Sequence, residues 1–337
     1  MGVMKAVVQE RWGAPDSLRL AEVAELVPGE GEVLVRVRAA GLNPADWHLL
    51  RGSPVLARPG MGWTRPRNRI AGTDGAGVVE RLGPGVGGVG RGDGGGAGDL
   101  AVGNEVYGFL RGSFAEFAIA PVEKLAPKPE ALSFVEAAAL PIAATTAQRG
   151  IRDVAKVRAG QSVLITGASG GVGHFAVQVA VGLGAEVTGV CSAANAELVR
   201  ELGATHVIDY RTTDFAAGSQ RYDVILDNAG VRSPGEVRRA LTPDGTLIMN
   251  DGGRPGGFFG PLGPMARGLL TNRFVRPTIT TLPVRERRDE LLDLNQLIAA
   301  GTLRPVVSRT WTLAEAGRAL AELEQGHTRG KAVLEIA

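Results

Sequence analysis

The residues of this 337-residue chain whose types and spacing most directly suggest chemistry form a glycine-rich turn. In order, the turn is Gly167-Ala168-Ser169-Gly170-Gly171-Val172-Gly173. Glycines permit a tight bend and let the backbone approach a ligand closely. The N–H groups at the start of a following helix can bind an anion, and the helix dipole strengthens that attraction. The turn therefore predicts a binding site for the pyrophosphate of a dinucleotide, against the alternative of a strand-to-helix turn without a ligand.

The sequence around the turn supplies the elements that would position it. Ser162–Thr166 is short, apolar and rich in β-branched residues, which predicts a buried strand. An apolar helical stretch follows to about Leu183, Gly184 ends it, and residues 186–190 predict a second strand. This order of strand, glycine turn, helix and strand is typical of a dinucleotide-binding βαβ unit, which makes the pattern more specific than the glycines alone.

Ser192 stands where a site for NAD usually carries an acidic residue that binds the ribose. A carboxylate would repel a 2′-phosphate, whereas a hydroxyl can donate a hydrogen bond to it, so Ser192 favours NADP(H). The residues directly after it supply no cation, and the sequence leaves open whether Arg200, Tyr210 or Arg211 would reach the phosphate. The predicted cofactor contacts include Tyr210 and also Asn228, which follows a predicted strand.

The composition limits the class of protein. A net charge of +2 gives no reason to expect a nucleic-acid or membrane partner, and 44% hydrophobic and 21% charged residues are typical of globular proteins. Cys191 is the only cysteine, so the chain can form no internal disulfide and no zinc site built from several cysteines. No apolar run reaches the length of a transmembrane helix. We therefore predict a globular, cytoplasmic protein.

Two kinds of segment follow each other along the chain. Roughly the first 120 residues predict short strands separated by glycine turns, whereas strands and helices alternate from the glycine-rich turn onward. Such alternation predicts a parallel sheet covered on both faces. We predict an α/β fold in which a Rossmann doubly wound parallel sheet, residues 125–283, is inserted into a mostly β domain, residues 1–124 and 284–337. The active site is expected in the cleft between the domains, and residues 83–103 are predicted to form a glycine-rich surface loop.

Several sequence blocks carry a family resemblance that covers most of the chain. Besides the glycine turn, they are residues 5–7, 39–46 (AAGLNPAD), 71–79 (AGTDGAGVV), 112–117, 140–142, 202–204, 207–210 and 326–331. In this order the blocks resemble the medium-chain dehydrogenase/reductase superfamily and, within it, the zinc-independent quinone oxidoreductase branch. The resemblance implies that the mostly β domain is GroES-like and catalytic. It also implies a homodimer joined at residues 276–282, the edge of the Rossmann sheet.

The resemblance also bears on metal binding. Zinc-using relatives carry a cysteine where this chain has Asn43, a His-Glu pair where it has Thr73 and Asp74, and a further cysteine near Ile142. A catalytic zinc ion takes three protein ligands of nitrogen, sulfur or oxygen type. Because none of the relatives' ligands is kept at these positions, the resemblance implies a site without a metal.

Without zinc, the chemistry that the resemblance implies is hydride delivery from NADPH to an acceptor that is already electrophilic, a quinone or an α,β-unsaturated carbonyl compound. The charge that develops on the acceptor oxygen needs hydrogen-bond donors, and the candidates are the Asn43 amide and the hydroxyls of Tyr107 and Thr146. In the family the Asn43 position lines the substrate cleft. The Thr146 position lies beside the nicotinamide, so Thr146 is also a predicted cofactor contact.

The substrate is expected to be a small apolar or aromatic carbonyl compound. Residues 52–69 could form one pocket wall or only an arginine-rich surface loop, and Phe258, Phe259, Leu262 and Met265 could form another wall or only part of the core. Two alternative functions stay open. One is a pathway-specific enoyl reductase or alcohol dehydrogenase of the same fold, and the other is an NADP(H)-binding sensor without turnover.

Overall fold

The computed structural model describes residues 2–53, 55–87, 100–250, 276–326 and 328–337. The apolar group at Phe258, Phe259, Leu262 and Met265 lies outside these ranges, as does most of the predicted loop at 83–103. The chain divides into two compact units. The first comprises Met1–Ile142, Arg285–Gly301 and Pro305–Ala337, and the second comprises Ala143–Val284 and Thr302–Arg304.

Strands and helices are numbered here in chain order. The strands are β1 (Val3–Val8), β2 (Arg19–Ala24), β3 (Glu32–Gly41), β4 (Asp74–Leu82), β5 (Glu105–Phe109), β6 (Phe117–Pro121), β7 (Leu125–Pro127), β8 (Ser162–Thr166), β9 (Glu186–Cys191), β10 (His206–Asp209), β11 (Tyr222–Asp227), β12 (Leu241–Met249), β13 (Thr278–Thr281), β14 (Val307–Thr312) and β15 (Lys331–Glu335). The α-helices are α1 (Pro44–Arg51), α2 (Arg58–Met61), α3 (Phe134–Ala138), α4 (Pro141–Gln148), α5 (Gly173–Gly182), α6 (Ala196–Glu201), α7 (Pro234–Arg238), α8 (Arg288–Ala299) and α9 (Ala316–Glu324).

A largely antiparallel sheet forms the centre of the first unit. Its described strands are ordered β14-β15-β3-β4-β5-β7, and β6 also pairs with β3. Along β3 the buried valines Val33, Val35 and Val37 join one hydrophobic core with Leu334 of β15. Leu334 lies opposite Ala40 in the antiparallel register. This pairing places the last strand of the chain beside the end of β3, directly before α1.

A parallel sheet forms the centre of the second unit and confirms the predicted Rossmann fold. Its described strands are ordered β10-β9-β8-β11-β12-β13, and each neighbouring pair is parallel. The chain leaves β8 in one direction toward β9 and β10, and later returns to its other side with β11. Ligands of such sheets bind outside the carboxyl ends of the strands at this reversal. The ends of β8 and β11 are therefore where a cofactor site is expected.

The first unit extends further along the chain than the domain boundary predicted after residue 124. The strand β7 pairs with β5, so the chain is still part of the first sheet at Pro127. The helix α3 then packs closely on β3, because a Cβ added at Gly41 would lie 2.3 Å from Ala138 O. The division falls after Ile142, at the start of α4.

One helix is shorter than the sequence pattern predicts, and one strand was not predicted. The sequence over residues 233–241 predicts one helix, but α7 ends at Arg238 and Leu241 already pairs with Tyr222 as the first residue of β12. The sequence Thr-Pro-Asp-Gly after Leu241 is typical of a turn, and the structure instead accommodates it in β12 with a register shift. The sequence also gave no indication of β14, whose residues are mostly exposed.

Candidate active site

The glycine turn joins the end of β8 to the start of α5. Within it, the Gly170 N–H donates to Gly167 O at 2.9 Å, and the Ala168 N–H donates to Val190 O of β9 at 3.0 Å. Gly167 has a φ of 60°, which residues with a side chain rarely adopt. Hydrogen bonds and backbone conformation together hold the turn against the neighbouring strand.

Gly173, the first residue of α5, occupies a position of the turn where no side chain fits. A Cβ at this position would lie 2.0 Å from Gly167 O and 2.8 Å from Ala168 Cα. The helix N-terminus therefore approaches the turn more closely than any side chain would allow. Exposed N–H groups at such a helix start are what the pyrophosphate of a dinucleotide requires. The predicted turn residues thus fit this cofactor.

A hydrogen-bonded group that the sequence did not reveal joins the carboxyl ends of three parallel strands. The Thr166 hydroxyl donates to Asp227 Oδ1 at 2.6 Å, and the Asn228 amide donates to Thr166 O at 3.0 Å. Asn250 donates to Asn228 Oδ1 at 2.7 Å. The predicted contact Asn228 is therefore held in place at the point of strand reversal. Its polar neighbours became recognisable only once β8, β11 and β12 were seen side by side.

Ser192 follows β9 and is half-buried. Three residues further on, Asn195 donates from its side chain to Ser169 Oγ at 3.1 Å. This bond links the segment after β9 to the glycine turn. Ser169 itself is buried, so the bond restrains a side chain in the interior of the turn. Asn195 has no charge and was not predicted to have a role.

Cationic side chains lie close to the end of β9, although none directly follows Ser192. The Tyr210 N–H donates to Cys191 O at 3.2 Å, which puts Tyr210 beside the strand end. The Arg211 guanidinium carbon lies 5.8 Å from the centroid of the exposed Tyr210 ring. Burial raises the pKa of the Cys191 thiol and the charge of Arg200 opposes this rise, which places Arg200 nearby as well.

In the first unit, Asn43 is the centre of a buried polar cluster that we call the Asn43 cluster, consisting of Asn43, Asp46, Thr73, Asp74 and Lys331. Asn43 donates from Nδ2 to Asp74 Oδ2 at 2.9 Å and accepts at Oδ1 from Lys331 Nζ at 2.5 Å. Its backbone N–H donates to Asp46 Oδ2 at 2.7 Å, and the Thr73 hydroxyl donates to Asp46 Oδ1 at 2.9 Å. Asn43, Asp46, Asp74 and Lys331 are each less than 5% exposed.

Burial sets the ionisation of the Asn43 cluster. It raises the pKa of Asp46 to about 6, against the hydrogen bonds from Asn43 and Thr73. It raises the pKa of Asp74 to about 7, against the charge of Lys331, and it lowers the pKa of Lys331. Asp74 Oδ1 is buried and accepts no hydrogen bond from the described residues. The charges of Asp74 and Lys331 thus stabilise each other, whereas hydrogen bonds from Asn43 and Thr73 are the main support of Asp46.

The donor set of the Asn43 cluster does not fit zinc. The groups at the Asn43, Thr73 and Asp74 positions are an amide, a hydroxyl and a carboxylate. The amide is already bonded to Asp74 and to the Lys331 ammonium, and the hydroxyl to Asp46. Within the described ranges, no group of three or more His, Cys, Asp or Glu could hold a metal ion. A lysine charge beside these atoms would also repel a metal cation.

Tyr107 and Thr146, the other predicted donors, differ in accessibility. Tyr107 is fully buried in the first unit, and its hydroxyl lies 2.8 Å from Leu291 O and 2.8 Å from Asn295 Oδ1. Burial raises the pKa of this hydroxyl, so it stays protonated. Thr146 is half-buried in α4 and belongs to the second unit. The structure thus places Asn43 and Tyr107 in the first unit, and Thr146 and the other predicted cofactor contacts in the second.

Comparison with known proteins agrees with both units. Residues 29–130 match the family described as alcohol dehydrogenase GroES-like domain, and residues 202–334 match the family described as zinc-binding dehydrogenase. The chloroplastic quinone-oxidoreductase QR1 of Triphysaria versicolor is 31% identical, over 99% of this chain and 98% of its own. The solved quinone oxidoreductase from Coxiella burnetii is 28% identical with a TM-score of 0.86, over 100% of both chains. The CurK enoyl reductase is 25% identical with a TM-score of 0.84, over 99% of both chains.

The chain therefore belongs to the medium-chain dehydrogenase/reductase superfamily, in its quinone-oxidoreductase-like branch. It is an oxidoreductase with a nicotinamide cofactor and a small-molecule substrate. The predicted family and fold are confirmed. None of the helices in the described part of the chain is long and apolar enough to cross a membrane.

Proposed function

We propose that this oxidoreductase uses NADPH to reduce a quinone or an α,β-unsaturated carbonyl compound, without a metal ion. The observation that carries this proposal is the Lys331 ammonium, 2.5 Å from Asn43 Oδ1, at the position where zinc-using relatives hold their metal ligands. Oxidation of an alcohol requires removal of its hydroxyl proton, which a Lewis acid assists. A quinone or an enone accepts hydride without that help, so it suits this donor set better.

The second unit binds the cofactor, which supplies the hydride when bound. The N–H groups of the turn from Gly167 to Gly173 bind the pyrophosphate. Ser192 donates a hydrogen bond to the 2′-phosphate, and Tyr210 and Arg211 provide an aromatic face and a positive charge beside it. The proximity of Arg211 to Tyr210 is what supports NADP(H) over NAD(H) beyond the identity of Ser192.

The first unit and α4 supply the donors to the acceptor oxygen. The Asn43 amide and the Thr146 hydroxyl are proposed to donate to this oxygen as negative charge develops on it. Tyr107 is left out of the proposal, because its hydroxyl is already within hydrogen-bond distance of Leu291 O and Asn295 Oδ1. Thr146 also remains a proposed contact of the nicotinamide ring.

Fluorescence titration with NADPH and NADH, followed by NADPH oxidation with a simple quinone, tests the proposal. We expect tighter binding of NADPH and turnover. Arg211→Ala should weaken NADPH binding by about tenfold, the equivalent of about 1.4 kcal/mol, and leave NADH binding unchanged. Arg221→Ala is the matched control, because Arg221 is exposed in the same unit and its side chain, among the described residues, bonds to Gly218 O and Gln220 O. Preference for NADH would contradict the proposed cofactor.

A second candidate is an enoyl reductase of a biosynthetic pathway, which the likeness to the CurK enoyl reductase supports. Initial rates with a panel of quinones, enones and enoyl thioesters separate it from a general quinone reductase. Saturable turnover confined to enoyl thioesters would favour the pathway enzyme. NADPH binding without oxidation by any acceptor would favour the sensor instead.

We further propose a cytoplasmic homodimer. The strand β13 is the last in the order of the described sheet and pairs with β12 on one side. An edge strand presents backbone N–H and C=O groups that a second copy can pair with. Light scattering should give the mass of a dimer, and a monomeric mass would rule this arrangement out. Cell fractionation tests the location.

A further inference from the structure

Lys331 is a buried lysine whose ammonium has specific partners. It is 3% exposed, and Nζ donates to Leu42 O at 2.7 Å and to Asn43 Oδ1 at 2.5 Å. The preceding Gly330 has a φ of 60°, and a Cβ there would lie 2.1 Å from Val306 O. The conformation of the backbone before Lys331 is therefore fixed by the need for glycine, and the position of its side chain is fixed by hydrogen bonds. A buried ammonium is unfavourable unless it is bonded and paired, so its placement calls for an explanation.

The ammonium determines how the Asn43 amide is oriented. A lysine side chain can only donate hydrogen bonds, so the atom that faces it must be the amide oxygen. The amide nitrogen then faces Asp74 Oδ2, to which it donates at 2.9 Å. An amide rotated by half a turn would set its NH₂ group against the ammonium and its oxygen against the carboxylate. Lys331 and Asp74 together therefore permit one orientation.

This orientation leaves one hydrogen of Asn43 Nδ2 weakly bonded. Nδ2 carries two hydrogens, and one of them is donated to Asp74 Oδ2. The other has Gly41 O at 3.5 Å, the outer limit of a hydrogen bond. A polarised donor is thus held ready at Asn43, the residue proposed to bind the acceptor oxygen.

We propose that Lys331 is a positioning residue of the reductase, which holds the Asn43 amide so that its nitrogen, and not its oxygen, faces the acceptor. This proposal rests on the proposed function. Lys331 does not itself touch the substrate. Its effect passes through Asn43, so substitutions of the two residues should not act independently.

A double-mutant cycle tests this dependence. Lys331→Met and Asn43→Leu should each lower kcat about tenfold or more, since outer partners that orient a working group commonly matter by about 10- to 100-fold. The double variant should be no slower than Asn43→Leu alone. The Kd for NADPH, which the second unit binds, should stay unchanged in all three. Losses that multiply in the double variant would overturn the proposal.

Two further variants separate orientation from general stability. Lys331→Gln keeps a hydrogen-bond donor without the positive charge, so it should retain more activity than Lys331→Met. If Lys331→Met does not fold, Lys331→Gln replaces it in the double-mutant cycle. Lys128→Met is the matched control, because Lys128 is a lysine of the first unit whose side chain is only 6% exposed, and it donates to the carbonyls of Leu132 and Pro129 and pairs with Glu105. Lys128→Met should keep kcat. An equal loss of kcat in this control would contradict a specific role for Lys331.

The proposal and the proposed function fail in distinguishable ways. If the wild type oxidises NADPH with no quinone or enone, the proposed function fails. The orientation of Asn43 is then measured by the side-chain amide resonances of this residue, which should shift in Lys331→Met and not in Lys128→Met; unchanged resonances would overturn the role of Lys331. If the wild type oxidises NADPH with a quinone or an enone, but the losses of kcat in the two single variants multiply in the double variant, only the proposed role of Lys331 fails.

Discussion

Gly173→Ala is the substitution for which the structure gives the sharpest expectation. The new Cβ would lie 2.0 Å from Gly167 O, whereas real Cβ contacts are essentially never below 3.0 Å. The carbonyl must therefore move by about 1 Å or more, and it accepts the Gly170 N–H bond at 2.9 Å that closes the turn. Overpacking of this kind destabilises by about 1–3 kcal/mol, and loss of the hydrogen bond adds about 1 kcal/mol.

The net effect remains large after the helix preference of alanine is considered. Alanine is favoured over glycine within a helix by about 1 kcal/mol at most, and less at a first helical position. We expect the second unit to lose about 2–3 kcal/mol, and NADPH affinity to fall at least tenfold because the turn is displaced. Gly235→Ala is the control, since Gly235 is exposed in α7 and a Cβ there meets nothing within 4 Å. It should stabilise by up to about 1 kcal/mol.

The distribution of tryptophan makes the assay specific. All the tryptophans belong to the first unit, at Trp12, Trp47, Trp63 and Trp311. Tryptophan fluorescence during denaturation therefore follows the first unit, while hydrogen exchange of β8 amides follows the second. Gly173→Ala should accelerate exchange in β8 and leave the fluorescence transition nearly unchanged. Wild-type exchange and wild-type NADPH affinity in this variant would refute the close approach of α5 to the turn.

Three further substitutions are predicted from the same structure. Tyr107→Phe should lower the stability of the first unit by about 1–2 kcal/mol, by fluorescence-detected denaturation, and keep kcat, since its hydroxyl bonds within the unit. Because burial raises the pKa of Asp46 to about 6 from an ordinary 3.8, the stability that this group contributes is present below about pH 4 and lost as the pH rises through 6, a change of about 3 kcal/mol. Asp46→Asn should reduce this slope in denaturation curves between pH 4 and 6, to which Asp74 also contributes, and exposed Asp16→Asn should leave it unchanged. Ser192→Asp should weaken NADPH binding at least tenfold in titrations and spare NADH, because its carboxylate repels the 2′-phosphate.

Local patterns were sufficient to predict the second unit. A β-branched strand, a glycine turn and an apolar helix each have a strong local preference, and a right-handed connection leaves few ways to arrange them. Short polar segments were less predictable. The first residues of β12 include Thr242 to Gly245, whose types favour a turn. They have no partner in the register with β11, and the pairs formed by Leu241 and Thr246 on either side hold them in the strand.

The Asn43 cluster could not be predicted from the sequence, although three of its residues had been singled out. Asn43 and Lys331 are separated by 288 residues, and nothing near either of them signals the other. What joins them is the register of β15 against β3, which depends on the packing of the whole first unit. A lysine at the start of an apolar strand was the one available signal, because lysine is seldom fully buried without a partner.

The Asn43 cluster also bears on the direction of the reaction. An ammonium and two carboxylates are buried together, so the protonation state of each group in the cluster depends on the others. Such a group is buried from solvent. The cluster is well suited to hold the Asn43 amide in a fixed direction. The Lys331 ammonium can only donate to the amide oxygen, and the Asp74 carboxylate accepts from the amide nitrogen. A fixed donor that needs no rearrangement stabilises an oxyanion efficiently, and an oxyanion forms on the acceptor in reduction. This arrangement supports the proposed reduction of an electrophilic carbonyl compound.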